Sequence, residues 1–324
     1  MKKRLVVICL CFIFTIIDDS KIQAWGFWGH QRINQKAVYC LPQPLLQFYK
    51  SNIDYITKHA VDPDMRRYAD PEEAPRHYID IDHYGATPFD SLPLIWKDAV
   101  AKIGMDSLKS HGIVPYHIPI MYYRLVAAFK AKDYQKIFKY SAEIGHYIGD
   151  AHVPLHCTSN YNGQKTGQHG IHGFWESRIP ELMGGQYDFL VGKAFYIQSP
   201  IQVVWQTIKE SYAAKDSVLV LEAMLNKQFE SDRKYAYETK GRQIVKVYSR
   251  EYTSAYNDLL DGMVERRMRK AIRLTASFWY TAWVNAGMPI LNNSSDAQLM
   301  PDTIMDVTST KANISIQNLK GHDD

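Results

Sequence analysis

The stretch YQKIFKYSAEIGHYIGDAH, residues 134 to 152, constrains the fold more than any other segment. Its residues Ile137, Tyr140, Ile144, Tyr147 and Ile148 recur at three- and four-residue steps, the period of one helix face, so the segment must bury that face against other elements. HIPIMYYRLVAAFKAK, IQVVWQTIKESYAAK and RRMRKAIRLTASFWYTAWVNAG repeat the pattern, whereas alternating runs joined by hairpin turns are scarce. The chain reads as all-α, a single-domain multi-helix bundle over 25 to 287. After Gly287 the composition turns polar, with NNSSDAQ and TSTKANISIQNLKGHDD, and 288 to 324 reads as a mobile tail.

Ahead of the bundle, MKKR is basic, LVVICLCFIFTII is an apolar run of thirteen residues, and IQA ends in a small residue. Such a run is short for a bilayer span, and with these flanks it reads as a signal peptide, residues 1 to 24, cut after Ala24. An uncleaved anchor is the competing reading. Cleavage predicts an exported chain, periplasmic or extracellular, that begins at Trp25 and keeps no transmembrane anchor. It removes four basic and two acidic side chains, lowering the formal charge from +4 to +2, which excludes a strong cationic field over the whole surface. Cys40 and Cys157 remain, and their spacing leaves open whether they pair.

In HYIGDAHVPLH, His146 and Asp150 stand four apart, on one side of a helix, and His156 follows beyond the helix-ending Pro154. His172 and Glu176 repeat the four-residue step in IHGFWESRI, and AVDPDMRRYADPEEAPRHYIDID supplies Asp62, His77 and Asp80. A lone pair of this kind also arises on any polar helix face. Several histidines and carboxylates on separated helical segments suit zinc, with satisfied core histidines and surface ion pairs as the alternative. At the processed terminus, the amino and carbonyl groups of Trp25 can form a five-membered chelate ring, with His30 a further nitrogen donor. A terminus that merely packs is the simpler alternative for Trp25.

The ordered set Trp25, His30, Asp62, His77, His146, Asp150, His156, His172 and Glu176 resembles the trinuclear-zinc superfamily of bacterial phospholipases C and single-strand-specific S-one/P-one nucleases. The resemblance runs through AIRLTASFWYTAWVNAG, which is similar to the last phospholipase helix. It implies three zinc ions. Asp62, His77, His146 and Asp150 would hold the first, with Asp150 bridging to a second bound by Trp25 and His30, while His156, His172 and Glu176 would hold the third. Asp64 is the rival to Asp62, which is preferred because its fifteen-residue distance to His77 fits the nuclease pattern. His152 and His169 match no ligand position. The implied chemistry is attack on phosphorus by a zinc-bound hydroxide, with the metals neutralising the phosphoryl and leaving oxygens. Asp80, in the nuclease-like HYID frame, would orient the water, and Arg66, one residue off the nucleases' arginine, would contact phosphate.

The substrate signals are mixed. Glu176 in place of aspartate, the short interval from His156 to His172 and the last helix are similar to the phospholipases. The Trp25 to His30 spacing, the HVPLH turn and the HYID frame are similar to the nucleases, although YNGQKTGQHG replaces their Gly-Gly-Asn segment. Trp28 stands where the phospholipases carry an acid that helps recognise choline. The reading taken from the sequence is a phospholipase C-like phosphodiester hydrolase acting on phospholipid. The alternatives are a nuclease acting on single-stranded nucleic acid and a non-catalytic zinc-binding secreted protein.

Overall fold

The computed structural model describes residues 26 to 291 apart from residue 242, and among them the regular structure is helical except for one two-stranded sheet. Residues 1 to 25, which hold the expected signal segment and Trp25, and residues 292 to 324 of the expected tail lie outside the described residues. Five longer helices frame the bundle: α1 (Gly26–Val38), α2 (Val114–Ala131), α3 (Tyr134–Ala151), α4 (Pro200–Gln228) and α5 (Met263–Asn285). Among the described residues no helix is long and apolar enough to cross a membrane.

Local sequence sets the boundaries. Lys132 takes a left-handed conformation (φ 53°) and ends α2, and the Asp133 carboxylate accepts from the Lys136 amide at 3.1 Å to start α3, making an antiparallel helix pair. Ser199 caps α4 in the same way ahead of Pro200.

The structure departs from the one-sided burial expected for 134 to 152. From Ser141 to Ala151 every residue of α3 is buried, because other helices cover it from several sides. Two glycines permit this: a Cβ on Gly145 would stand 1.9 Å from Asn34 Oδ1, and one on Gly149 would stand 3.0 Å from His30 Nδ1. Helix α1 therefore packs directly on the α3 backbone. Asn34 completes the contact by donating to the Ala142 carbonyl at 2.9 Å. On the far side, Trp279 of α5 stacks on Tyr49 at 4.8 Å and donates to the Ser141 carbonyl at 3.0 Å.

The sequence reading contained no sheet, yet β1 (Tyr235–Lys240) and β2 (Gln243–Tyr248) form an antiparallel hairpin turning through Gly241 (φ 61°). Cys40 and Cys157 are both buried free thiols, so they form no disulfide with each other. The chain also stays packed slightly beyond Gly287: the Met288 amide donates to Trp283 O, and Trp283 Nε1 donates to Pro289 O.

Candidate metal centre

The C-terminal end of α3 is the scaffold of the site. His146 and Asp150, one turn apart, bring Nε2 and Oδ2 to 3.2 Å of each other. The Val153 amide then donates to the Asp150 carbonyl at 2.9 Å to close the turn, and Pro154 starts a short 3-10 segment, Pro154–Cys157, that returns His156 to the same carboxylate, with Nδ1 3.8 Å from Asp150 Oδ1. Arg267 of α5 donates to the His152 carbonyl at 2.8 Å, and Ser211 of α4 donates to Ala151 O at 2.6 Å. These bonds satisfy carbonyls at the helix end and hold the turn.

The segment carrying His77 is held on both edges. Ile79 donates to His156 O at 2.9 Å, and Asp80 donates to His111 O at 2.7 Å. His77 Nδ1 then lies 3.0 Å from Asp150 Oδ2 and 3.1 Å from His146 Nε2. From α1, His30 stacks on His146 at 3.8 Å between ring centres and sets Nε2 3.5 Å from Asp150 Oδ1. His156 Nε2 and His172 Nε2 stand 3.3 and 3.1 Å from Glu176 Oε2. His172 and Glu176 face the same way because Ile171–Gly173 is one helical turn that continues into the wider π turn Phe174–Arg178.

Three groups of ligand atoms result among the described residues, each within 4.8 Å: His30 with Asp64 and His146, His77 with His146 and Asp150, which overlap through His146, and His156 with His172 and Glu176. All are buried. Of the expected ligands, His30, His77, His146, Asp150, His156, His172 and Glu176 are brought together, Trp25 lies outside the described residues, and Asp62 is replaced. Asp62 is a third exposed and pairs with His59 Nδ1 at 2.8 Å, whereas Asp64 is buried and lies 3.5 Å from His146 Nε2 and 3.7 Å from His77 Nδ1. Two residues on a helix are about 200° apart, so only one of the two aspartates can face the cluster. The place of Arg66 is corrected too. Its guanidinium donates to Glu143 at 2.6 Å, to Glu73 at 3.3 Å and to the Tyr147 hydroxyl at 3.4 Å, a structural ion-pair network. Arg67, by contrast, acts electrostatically on Asp64.

Glu73 is a member that the sequence reading missed. It is fully buried, lies 3.6 Å from His77 Nε2 and also bonds Arg76 and the Tyr147 hydroxyl. Burial opposes its charge, but His77, Arg66 and Tyr147 hold its carboxyl well below the usual range. Its four-residue spacing to His77 is the signal that was available. His152 turns its Nδ1 to the Ile148 carbonyl at 2.7 Å, and His169 is exposed, so neither joins the cluster.

The donor set fits a divalent metal. His30 Nε2, both Asp64 oxygens, Asp150 Oδ1 and His156 Nε2 are buried with no hydrogen bond among the described residues, a costly arrangement unless something else takes their lone pairs. The outer nitrogens are fixed: His146 Nδ1 donates to Ala60 O at 2.9 Å and His156 Nδ1 to His77 O at 2.7 Å, which leaves each Nε2 as the inward ligand. Burial, together with His146, pushes His30 well below the usual imidazole value, so it offers a lone pair. For His146, burial is outweighed by Asp150 and Asp64, which raise it to about 9, so a bound cation displaces a proton there. Burial likewise opposes the charge on Glu176, yet His172 and His156 hold it at about 2.

At the edge of this cluster Asp80 is nearly buried, with His111 Nδ1 at 3.4 Å. Burial, reinforced by Asp82 and opposed by His111, pushes its carboxyl up to about 6. Trp28 packs so close over Gly184 that a Cβ there would meet the ring at 2.1 Å, with the Arg32 guanidinium 5.4 Å from the ring centre.

No curated protein matches the chain. The S1/P1 Nuclease family model matches residues 25 to 278, which moves the reading from the phospholipase C-like enzyme expected from sequence toward the nuclease alternative. With that match extending over most of its length, the chain belongs to the S1/P1 nuclease family of zinc-dependent phosphodiester hydrolases.

Proposed function

We propose that this protein is an exported nuclease that cleaves single-stranded nucleic acid at a centre of three zinc ions. The observation that carries the reading is the sharing of donors: His146 belongs to two of the three ligand groups, and Asp150 lies within 3.8 Å of His30, His77, His146 and His156. In this reading Asp64, His77, His146 and Asp150 hold one ion. Asp150, His30 and the amino and carbonyl groups of Trp25 hold the second. His156, His172 and Glu176 hold the third.

The Trp25 assignment draws support from its neighbour. Gly26 lies against Ser177, since a Cβ built on it would be 3.1 Å from Ser177 Oγ, and Ser177 follows Glu176. Removal of the leader after Ala24 would then both export the protein and create a ligand. Placing Asp64 in the cluster moves the frame two residues along the chain, so Arg67 rather than Arg66 takes the place of the nucleases' arginine and contacts the substrate phosphate.

Zinc, when bound, supplies Lewis-acid charge against the phosphoryl and leaving oxygens. The chain does the rest. Asp80 orients the attacking water through a carboxylate oxygen and accepts its proton there, a task suited to a carboxyl raised to about 6. His111 Nδ1 steadies that carboxylate from behind. The buried walls of α1 and α3 exclude bulk water, so these charges act in a poorly screened site.

The processed protein should contain close to three zinc ions and hydrolyse single-stranded DNA and RNA faster than duplex DNA, with activity lost on chelation. Hydrolysis of phosphatidylcholine without nucleic-acid cleavage, three ions with no hydrolysis at all, or a zinc content of one or none would each overturn the reading. A form with one residue retained ahead of Trp25 should lose an ion; undiminished zinc content would remove Trp25 from the site.

A further inference from the structure

We propose that the outer face of the β1–β2 hairpin, formed by Tyr235, Tyr237, Ile244 and Lys246, binds the part of a single-stranded nucleic acid that extends beyond the cleaved bond. The proposal rests on the nuclease reading above. It starts from strand register. Tyr235 faces Tyr248, Tyr237 faces Lys246 and Thr239 faces Ile244, so alternation puts these six side chains on one face of the hairpin and Glu238 on the other.

The Glu238 face is fastened to the metal-binding turn. Arg178, two residues after Glu176, donates to both Glu238 oxygens at 2.9 and 2.5 Å and, through Nε, to Tyr248 O at 3.0 Å. A two-stranded hairpin is at best marginally stable alone, and this bidentate clamp ties it to the segment that carries His172 and Glu176. The aromatic rings then run outward without a break. Phe174 stacks on Tyr248 at 3.8 Å, Tyr248 meets Tyr235 at 5.1 Å, and Lys246 Nζ stands 3.9 Å from the Tyr235 ring centre.

The end of this path is open. Tyr237 is 73% and Ile244 74% exposed, and among the described residues no carboxylate lies within ion-pair distance of Lys246. Isolated exposed tyrosines are ordinary. Two on one strand face, beside an uncompensated cation and continuous with the ligand turn, make the pairing of π-faces and positive charge that sequence-tolerant single-strand binding uses. Lys246, which faces Tyr237, lies about 7 Å along the strand from Tyr248, and Ile244 about 13 Å, so the face extends away from the ligand turn, where an oligonucleotide reaches it and a dinucleotide held at the metal centre does not.

The test compares the zinc-loaded protein with Tyr237→Ala, Lys246→Gln and the double variant. Hydrolysis of a dinucleotide and of a single-stranded 12-mer is measured, with anisotropy of a labelled, uncleavable phosphorothioate 12-mer alongside. Both side chains are surface groups, and unchanged melting curves establish folding. The expected result is a KM and Kd for the 12-mer raised about tenfold in the double variant, with kcat and all dinucleotide constants unchanged. Equal losses on both substrates, or no change in either 12-mer constant, overturn the proposal. So does a variant that loses binding to phosphatidylserine vesicles while keeping its 12-mer affinity, which would make the face a lipid contact. Failure of the nuclease reading is seen separately, as a wild-type protein that cleaves neither substrate, and the anisotropy arm then decides the hairpin by itself.

Discussion

Arg66→Met separates a structural role for that guanidinium from a catalytic one. Arg66 donates to Glu143 at 2.6 Å and to Glu73 at 3.3 Å, where the Glu73 side chain is fully buried and that of Glu143 is 7% exposed. Methionine keeps most of the volume but leaves Glu143 without this partner and Glu73 dependent on Arg76, Tyr147 and His77. Breaking a wholly buried pair costs about 3–5 kcal/mol. The Arg66 side chain is 35% exposed, so water screens part of the interaction and about 2 kcal/mol is the better figure. For a body of this size that corresponds to a fall in melting temperature of roughly 4–8 °C. The measurement is thermal unfolding by circular dichroism at pH 7.5, paired with kcat well below the transition. The reasoning requires the lower melting temperature together with kcat within a few-fold of wild type, and Glu143→Leu in the Arg66→Met background should restore a good part of the loss. An unchanged melting curve with a collapsed kcat would refute it and return Arg66 to the substrate.

The other expectations concern single positions. Asp64→Asn should remove about one zinc per chain and lower kcat by more than the ~10–100-fold typical of outer-shell partners, whereas Asp62→Asn should leave zinc content unchanged; metal analysis of both decides which aspartate is the ligand. Asp80 has a folded value of about 6, above the roughly 3.9 of an unfolded chain, so its charge costs stability above pH 6 and nothing below about pH 4. Asp80→Asn should therefore stabilise the chelated protein at pH 7.5 by on the order of 2–3 kcal/mol, with no gain at pH 4, and should depress kcat of the zinc-loaded enzyme. A gain largest at pH 4 would contradict that sign. Gly145→Ala, though a better helix former, drives a Cβ to 1.9 Å from Asn34 Oδ1 and should destabilise by about 2 kcal/mol in denaturant titration.

Much of the centre was legible because helices convert spacing into direction. The four-residue steps from His146 to Asp150 and from His172 to Glu176 put each pair on one side of a helical turn, and the structure keeps both pairs together. Spacing across loops carries no such direction. The fifteen-residue distance that favoured Asp62 spans several turns and bends, and the helix Asp62–Arg66 directs Asp64 to the cluster and Asp62 toward His59. The same bends withdraw Arg66 into its ion pairs. The hairpin escaped notice because YAYETK and QIVKVY are weak strands alone. They hold their register through Arg178, which lies sixty residues away from Glu238 in the chain.

By itself, then, the sequence determined the helical class, the metal-suited chemistry and most of the donors, since periodicity and residue type act within one or two turns. Only the tertiary structure decided which aspartate enters the cluster, that Glu73 backs His77 and that α3 is buried at every position from Ser141 to Ala151. Those outcomes depend on how closely α1 can approach Gly145 and Gly149, and on which buried charges find partners. Both are set by contacts between segments tens of residues apart, which no local pattern encodes.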